Sequence, residues 1–234
     1  MSEVIISGLE GRLEGRYRHS SSARPNVALI MHANPLQGGN MNSSLIYKMY
    51  HNFVEKDFSV LRFNFRGVGK SQGTFDNGVG ELIDAATALD WLQNNNPVAE
   101  SLWVVGFSFG AWISMQLLMR RPEVDNFLSV SLPTNKHDFS FLSPCPTSGA
   151  VLHGEQDSIV PAETLVKFID SIHKQKGVEI DYTIVPKADH FFREKIDKLS
   201  EHVSEYIDLK LNKVKRVTVK VDRRRRNMRQ TKTE

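Results

Sequence analysis

Two patterns of apolar residues alternate along the chain. Short continuous apolar runs, such as Asn26–His32 and Leu102–Gly106, are typical of β-strands buried on both faces. Between such runs, apolar residues recur every three or four positions, as at Leu45, Met49 and Phe53, which predicts amphipathic helices. Strands are predicted at 4–7, 11–19, 26–32, 58–65, 102–106, 127–130, 149–153 and 178–185. Helices are predicted near 44–53, 82–92, 111–119, 161–172 and 192–211.

This alternation predicts an α/β fold, in which a mostly parallel sheet lies between two layers of helices. The first two strands are joined at Gly8–Glu10 and are expected to form a hairpin. The length of 234 residues suits a single domain, which we expect over residues 1–212. The longest irregular piece within it, Leu132–Ser148, is too short to form a separate cap domain. The sequence therefore predicts a three-layer α/β/α domain without a cap.

Charge is distributed unevenly, which sets the C-terminus apart. Residues 213–234 hold ten Lys/Arg and two Asp/Glu, a net charge of +8, within a chain whose net charge is +3. We expect this tail to be flexible and solvated. The alternative is weak, salt-sensitive contact with the phosphates of nucleic acid or of anionic membrane lipids. The tail contains no aromatic residue, which argues against stacking on bases.

The remaining composition indicates an ordinary soluble protein, with 40% hydrophobic and 24% charged residues. The single cysteine, Cys145, cannot form a disulfide within the chain, and we interpret it as structural. The N-terminus has neither the basic region nor the apolar run of a signal peptide, and no segment has the length and hydropathy of a membrane span. A cytoplasmic location is therefore expected.

A candidate nucleophile lies between a predicted strand and a predicted helix. The segment Gly106-Phe-Ser-Phe-Gly110 has the pattern of a nucleophile elbow, a sharp strand-to-helix turn that exposes a serine. Glycines two residues to either side of Ser108 allow the turn to approach neighbouring elements closely. The pattern alone is weak, because a serine that caps a helix in a glycine-rich turn would look the same. The apolar strand before it and the apolar helix after it favour the nucleophile.

A serine hydroxyl needs a base to remove its proton, and the base needs an orienting acid. In this type of fold the three residues follow in the order serine, acid, histidine. Asp157 and His190 each lie just after a predicted strand, in that order. Because the carboxyl ends of parallel strands meet at one edge of a sheet, both side chains are expected near Ser108. Glu155 and Asp189 are the alternative candidates for the acid. His153 lies at the end of a core strand and is interpreted as a structural residue.

Acyl transfer also requires hydrogen-bond donors for the oxyanion of the tetrahedral intermediate. One donor is expected to be the backbone N–H of Phe109, the residue after the nucleophile. The second is expected from the loop after an earlier strand. Asn34 is the first choice and Leu36 the second, since Pro35 between them has no N–H. His32 is interpreted as a residue that braces this loop rather than as a base.

Five segments together resemble the motifs of a small, lidless group of bacterial α/β-hydrolases related to the dienelactone hydrolases. They are, in chain order, 32–39 (HANPLQGG), 62–73 (RFNFRGVGKSQG), 106–110 (GFSFG), 153–157 (HGEQD) and 189–192 (DHFF). The resemblance covers roughly residues 1–210. It implies the α/β-hydrolase fold, with Ser108, Asp157 and His190 as a catalytic triad. Two features depart from the pattern: such proteins tend to have His-Pro-His-Pro where this chain has His32-Ala-Asn-Pro35, and the basic tail has no counterpart.

The residues and the resemblance predict a serine hydrolase that cleaves a carboxylic ester or thioester through a covalent acyl-enzyme, with no cofactor and no metal. The alternatives are a peptidase or acyltransferase that uses the same triad, or a binding module tethered by the basic tail. Without a cap, the pocket is expected to be open and to accept a small-molecule ester with a small acyl group. Its apolar wall is expected to come from Leu36, Phe109, Phe139, Phe141 and Phe191.

Overall fold

The computed structural model describes residues 2–142, 144–173 and 178–212. The predicted basic tail, 213–234, lies outside these residues, so what we expect of it stays a prediction. Within the described ranges, no helix combines the length and the hydropathy needed to cross a membrane.

The described residues form one sheet of eight strands, in the spatial order β1-β2-β4-β3-β5-β6-β7-β8. Their bounds are β1 Ser2–Gly8, β2 Gly11–Arg18, β3 Asn26–Met31, β4 Ser59–Phe63, β5 Ser101–Phe107, β6 Asn126–Val130, β7 Gly149–Gly154 and β8 Ile180–Val185. The predicted hairpin is confirmed, since β1 pairs with β2 antiparallel, and β2 pairs antiparallel with β4. All the other pairings are parallel, which confirms the mostly parallel sheet.

Helices cover both faces of the sheet, as predicted. Their bounds are α1 Ser44–Glu55, α2 Val79–Asn94, α3 Phe109–Leu118, α4 Ala162–His173 and α5 196–212. Apolar side chains of α2, α3 and α4 pack into one core, and those of α1 and α5 pack into a second core on the opposite face. The three-layer α/β/α architecture is therefore confirmed. The last helix begins four residues later than predicted, because Phe192 has a positive φ of 53° and belongs to a turn.

The central strand β3 explains why buried strands have unbroken apolar runs. Val27, Leu29 and Met31 belong to the core under α2, α3 and α4, whereas Ala28 and Ile30 belong to the core under α1 and α5. Successive side chains of a strand point to opposite faces, so a strand covered on both faces needs apolar residues at every position. Full burial of a side chain such as Leu29 contributes about 1.5–3 kcal/mol to the free energy of unfolding.

The connection between β6 and β7 forms no cap domain. Its described residues contain one short 3₁₀ turn, Ser140–Leu142, and Phe139 and Leu142 are buried in the core beneath it. Cys145 is buried in the same core, and burial raises the pKa of its thiol, in keeping with a structural role. The described residues of this segment therefore pack against the domain and add no second domain to it.

The strand order brings two loops together at this edge. The chain passes from β3 to β4 on one side and then returns to β5 on the other side of β3, and crevices at such reversals are where α/β sheets bind ligands. Met31 at the end of β3 pairs with Gly106 near the end of β5. The loop after β3 therefore lies beside the turn that carries Ser108.

Candidate active site

Ser108 occupies a strained turn between β5 and α3. Its φ of 52° and ψ of −116° are unusual for a non-glycine residue. The turn is held by its backbone N–H, which donates to the carbonyl of Val130 at 2.9 Å. A side chain at Gly106 would collide with the Gly110 carbonyl, and one at Gly110 would collide with the Met31 carbonyl. The two glycines of the pattern are therefore required by close packing, and the assignment of this turn as a nucleophile elbow stays a prediction.

His190 connects Ser108 to Asp157. Its Nε2 lies 3.0 Å from Ser108 Oγ, and its Nδ1 lies 2.7 Å from Asp157 Oδ2. A carboxylate only accepts hydrogen bonds, so Nδ1 carries the proton and Nε2 is free to accept from the serine hydroxyl. Asp157 and His190 are 4% and 5% exposed, so water has little access to either. The three residues thus form one hydrogen-bonded chain from hydroxyl to carboxylate.

The carboxylate of Asp157 is held on both oxygens. Besides the bond from His190 to Oδ2, Oδ1 accepts from the backbone N–H groups of Ile159 at 2.9 Å and Val160 at 2.8 Å. Burial alone would raise the pKa of Asp157, but the hydrogen bonds from His190 and Val160 outweigh it and hold the pKa below its usual value. Asp157 is therefore ionised at neutral pH and able to orient the imidazole.

Neither rival acid contacts His190. Glu155 is exposed and accepts a hydrogen bond from the backbone N–H of Lys187 at 2.9 Å. The carboxylate of Asp189 points toward Arg193, whose backbone N–H donates to it at 2.9 Å. Both carboxylates stabilise the loops around His190 but take no part in the chain of hydrogen bonds.

Ser131 supports His190 and was not foreseen from the sequence. Its Oγ donates to the backbone carbonyl of His190 at 2.9 Å, and its own N–H donates to the carbonyl of Leu152 at 2.9 Å. The imidazole also packs against Phe107 and Phe191, with ring centroids 5.5 and 5.0 Å away. The position of Ser131, directly after β6, is the one sequence signal that could have drawn attention to it.

The two expected oxyanion donors lie on adjacent loops. Phe109 is the first residue of α3, so its N–H has no acceptor within the helix. In the loop after β3, the side chain of Asn34 accepts the N–H of Leu36 at 2.8 Å, and its carbonyl accepts the N–H of Gly39 at 3.0 Å. Because the Leu36 N–H is engaged by Asn34, the geometry favours the backbone N–H of Asn34 as the second donor.

His32 braces the same loop, as interpreted from the sequence. Its Nδ1 lies 2.7 Å from the carbonyl of Ala33, and its Nε2 accepts the backbone N–H of Phe65 at 3.1 Å. Complete burial lowers the pKa of His32 to about 4, so the ring is neutral. Both ring nitrogens are used in holding the loop after β3 to the loop after β4.

The glycine-rich segment after β4 is held by buried charges. The guanidinium of Arg66 donates to both oxygens of Asp84 at 2.8 and 3.0 Å, and the backbone N–H of Arg66 donates to the same carboxylate at 3.0 Å. Buried Glu14 accepts from the side chain of Asn64 and from the backbone N–H of Lys70, both at 2.9 Å. The contacts of this motif are therefore those of a brace for the edge of the sheet near Ser108.

The five expected wall residues differ in exposure. Leu36 and Phe191 are 72% and 37% exposed, and Phe191 packs directly against the imidazole of His190. Phe109 is buried next to Ser108, Phe139 is buried against Phe168 in the core, and Phe141 is partly buried against Phe139. Leu36 and Phe191 are thus exposed apolar side chains, whereas Phe139 is a core residue.

An aromatic cluster adjoins Ser108 on the side of α3. It consists of Phe75, Phe109, Trp112 and His137. Trp112 and His137 stack with centroids 4.0 Å apart and an interplanar angle of 16°, and Phe109 lies 5.7 Å from both Trp112 and Phe75. Trp112 follows Ser108 by four residues in the first turn of α3, and its backbone N–H donates to the carbonyl of Ser108 at 3.1 Å. That spacing was the available signal for Trp112, whereas the loop residues Phe75 and His137 had none.

The chain is similar to known proteins in both sequence and structure. A family model described as alpha/beta hydrolase fold matches residues 29–144. The uncharacterized protein RP471 of Rickettsia prowazekii (strain Madrid E) is 50% identical over 211 residues, which are 88% of this chain and 89% of that protein. The structure of ATU1826 from Agrobacterium tumefaciens, a protein of unknown function, is 47% identical, with a TM-score of 0.88 over 90% of this chain and 97% of that one. An alpha-beta serine hydrolase homologue from Coxiella burnetii is 31% identical, with a TM-score of 0.80 over 87% and 96% of the two chains.

The matches extend over nearly the whole of the relatives as well as most of this chain. The mostly parallel sheet between two layers of helices, with no separate cap domain among the described residues between β6 and β7, agrees with the alpha/beta hydrolase fold. The expected relation to the dienelactone hydrolases stays a prediction. This chain therefore belongs to the alpha/beta-hydrolase family, and its relatives support a hydrolase.

Proposed function

We propose that the protein cleaves a carboxylic ester or thioester by acyl transfer to Ser108. The observation that carries the proposal is the unbroken chain of hydrogen bonds from Ser108 Oγ through His190 to Asp157. A hydroxyl becomes a nucleophile when a positioned base removes its proton as it attacks. Ser108 directly follows the last residue of β5 and is partly exposed, so a substrate can reach its hydroxyl.

In the first half of the reaction, Ser108 Oγ attacks the acyl carbon while His190 Nε2 takes the hydroxyl proton. The carbonyl double bond opens, and its oxygen gains the negative charge of a tetrahedral intermediate. The N–H groups of Phe109 and Asn34 are the donors we assign to this oxyanion. The bond to the leaving oxygen or sulfur then breaks, and His190 returns its proton to the departing alcohol or thiol.

In the second half, a water molecule takes the place of the leaving group. His190 Nε2 removes a proton from the water as it attacks the acyl carbon, and the second tetrahedral intermediate collapses with cleavage of the bond to Ser108 Oγ. That oxygen regains its proton from His190, and the carboxylic acid leaves. Throughout, ionised Asp157 stabilises the imidazolium that forms twice in the cycle.

The surroundings of Ser108 favour a small-molecule ester with an apolar acyl group. The aromatic cluster offers an apolar surface directly after the nucleophile, and exposed Phe191 packs against the imidazole of the base. Each good apolar contact in such a pocket contributes about 1–3 kcal/mol to discrimination between acyl groups. The lack of a cap favours an open site that does not select strongly for the alcohol.

A fluorophosphonate probe tests the nucleophile. We expect it to label the wild type and not Ser108→Ala. The matched control is Ser114→Ala, which removes a buried hydroxyl on the same helix that donates to the carbonyl of Ala111. This control should be labelled like the wild type. Labelling of Ser108→Ala, or its retention of esterase activity, would contradict the proposal.

Two other activities on the same residues are separated by product analysis. Ester, thioester and amide substrates with one common acyl group distinguish an esterase from a peptidase, since only a peptidase cleaves the amide at a comparable rate. Hydroxylamine or an added alcohol distinguishes an acyltransferase, because the acyl group then appears on the acceptor in preference to water.

A binding role for the basic tail rests on its net charge of +8. Contact with nucleic acid or anionic lipid would weaken steeply with salt, because each phosphate contact releases counterions. Removal of residues 213–234 should abolish such binding and leave ester hydrolysis unchanged. Loss of hydrolysis on truncation would contradict this division of roles.

A further inference from the structure

His153 is a second imidazole beside the carboxylate of Asp157. It is fully buried near the end of β7, four residues before Asp157. Its Nε2 lies 2.8 Å from the carbonyl oxygen of Val160 and 3.5 Å from Asp157 Oδ2. Its Nδ1 is buried and has no hydrogen-bond partner among the described residues. The mechanism proposed above gives this ring no task.

The chemistry of its neighbours determines how His153 is protonated. A backbone carbonyl only accepts hydrogen bonds, so the 2.8 Å contact requires a proton on Nε2. Burial lowers the pKa of His153, so the ring is neutral and Nδ1 carries no proton. The single N–H of the ring therefore points into the space between the Val160 carbonyl and Asp157 Oδ2.

Val160 links this bond to the acid. Its carbonyl accepts from His153, and its own N–H donates to Asp157 Oδ1 at 2.8 Å. The next residue, Pro161, has no backbone N–H and therefore cannot donate to Asp157 in place of Val160. The bond from His153 thus anchors Val160, which is itself bonded to the carboxylate, to strand β7.

The same geometry ties His153 to the base. Asp157 Oδ2, the oxygen nearest to His153 Nε2, is also the oxygen that accepts from His190 Nδ1 at 2.7 Å. A change in the acid loop would therefore alter the angle at which His190 meets Ser108. From the contacts between His153, Val160 and Asp157, we propose that His153 is a positioning residue that holds the acid in register with His190. This inference rests on the proposed function, because it presupposes that Asp157 orients the base.

A purely structural role makes a different prediction. If His153 only filled the core, its replacement would lower the melting temperature and leave kcat of the folded enzyme unchanged. If it positions Asp157, replacement lowers kcat while KM changes little, because the ring contacts neither Ser108 nor the expected substrate surface. Misplacement of a reacting group by an ångström costs on the order of a hundredfold in rate.

Three variants separate these roles. His153→Phe keeps a ring and removes the N–H, and we expect kcat to fall by about tenfold to a hundredfold with KM nearly constant. His153→Gln can present an amide N–H near the position of Nε2, and we expect it to restore most of kcat. Val151→Ala is the matched control on the same strand: it opens space in the core, so it should lower the melting temperature without lowering kcat.

Proton NMR supplies a spectroscopic measurement. The His190 Nδ1–H in a short bond to a carboxylate has a strongly downfield resonance, which should shift or broaden in His153→Phe and keep its position in His153→Gln and Val151→Ala. The proposal is overturned by a folded His153→Phe with wild-type kcat and resonance, by equal loss of kcat in the Phe and Gln variants, or by an equal loss in Val151→Ala.

If His153→Phe does not fold, the wild type still decides the question. Nitrogen-15 shifts of the His153 ring report its tautomer: a proton on Nε2 supports the proposal, and a proton on Nδ1 or a doubly protonated ring overturns it. Failure of the proposed function is distinguishable, because it would appear as activity in Ser108→Ala, whereas failure of this inference leaves Ser108→Ala inactive.

Discussion

Asp157→Asn should reverse the proton arrangement of the chain from Ser108 to Asp157. In the wild type, Asp157 Oδ1 accepts the N–H groups of Ile159 and Val160, and Oδ2 accepts from His190. An asparagine has one oxygen and one NH₂ group. If its oxygen takes the position of Oδ1, the NH₂ group donates to His190 Nδ1. The imidazole then carries its proton on Nε2, facing Ser108, and cannot accept the hydroxyl proton.

The opposite amide orientation would preserve the active tautomer but is energetically disfavoured. It would turn the NH₂ group toward the N–H groups of Ile159 and Val160 and leave two buried donors without acceptors. Each unsatisfied buried donor costs about 1–3 kcal/mol, or about 2–6 kcal/mol for the pair. The inactive orientation therefore dominates. By analogy with loss of the orienting acid in serine proteases, we expect kcat to fall by about 10⁴-fold, equivalent to about 5.4 kcal/mol in activation free energy.

Steady-state hydrolysis of a chromogenic ester measures this effect, with active-site titration to count folded enzyme. The matched control is Asp189→Asn, which changes the carboxylate next to His190 in sequence. The carboxylate of Asp189 is bonded to the backbone N–H of Arg193 and lies 3.5 Å from its guanidinium. The control should retain kcat within a factor of about two. Retention of more than about a tenth of wild-type kcat in Asp157→Asn would refute the tautomer reasoning.

Three further predictions concern stability and selectivity. Asp84→Asn leaves buried Arg66 without its carboxylate and should lower the unfolding free energy by about 3–5 kcal/mol in urea titrations. Asp90 pairs with Arg121 at an exposed position of the same helix, so the control Asp90→Asn should lower it by only about 0–1 kcal/mol. Equal losses in the two variants would contradict this reasoning. Because the pKa of Asp157 is lowered on folding, its stabilising contribution is present above the unfolded pKa of about 3.9 and is lost as pH falls through the folded pKa. The difference in unfolding free energy between wild type and Asp157→Asn should therefore shrink in acid, and a constant difference would refute this. Trp112→Ala should lower kcat/KM for aromatic acyl esters about tenfold relative to acetyl esters, and an unchanged ratio would argue against the aromatic cluster as the acyl surface.

Much of the fold was predictable because burial on both faces leaves a strong pattern. The continuous apolar run of β3 and the nearly uniform apolarity of α3 both follow from packing between layers. The two glycines around Ser108 were informative for a different reason. Gly106 and Gly110 are required by collisions with backbone, so the sequence records that close approach directly.

Contacts between loops could not be predicted in the same way. The bonds from Ser131 to the His190 carbonyl and from His153 to the Val160 carbonyl join a side chain to a backbone group, and such an acceptor leaves no residue type to recognise. The late start of α5 could not be predicted either, because a turn residue can be as apolar and as buried as a helical one. Phe192 is fully buried in a left-handed turn, and its apolarity looks like the first position of a helix.

The hidden contacts suggest why the reacting side chains can lie on loops and still be precisely oriented. Ser108 is placed by the turn between β5 and α3, whereas Asp157 and His190 lie on loops that need separate anchors. Those anchors come from neighbouring strands: Ser131 follows β6 and is bonded to the carbonyl of Leu152 in β7, and His153 belongs to β7 itself. Asp157 and His190 are therefore both anchored to the strand pair β6 and β7. A shift of β7 would move the two side chains together and keep their mutual geometry.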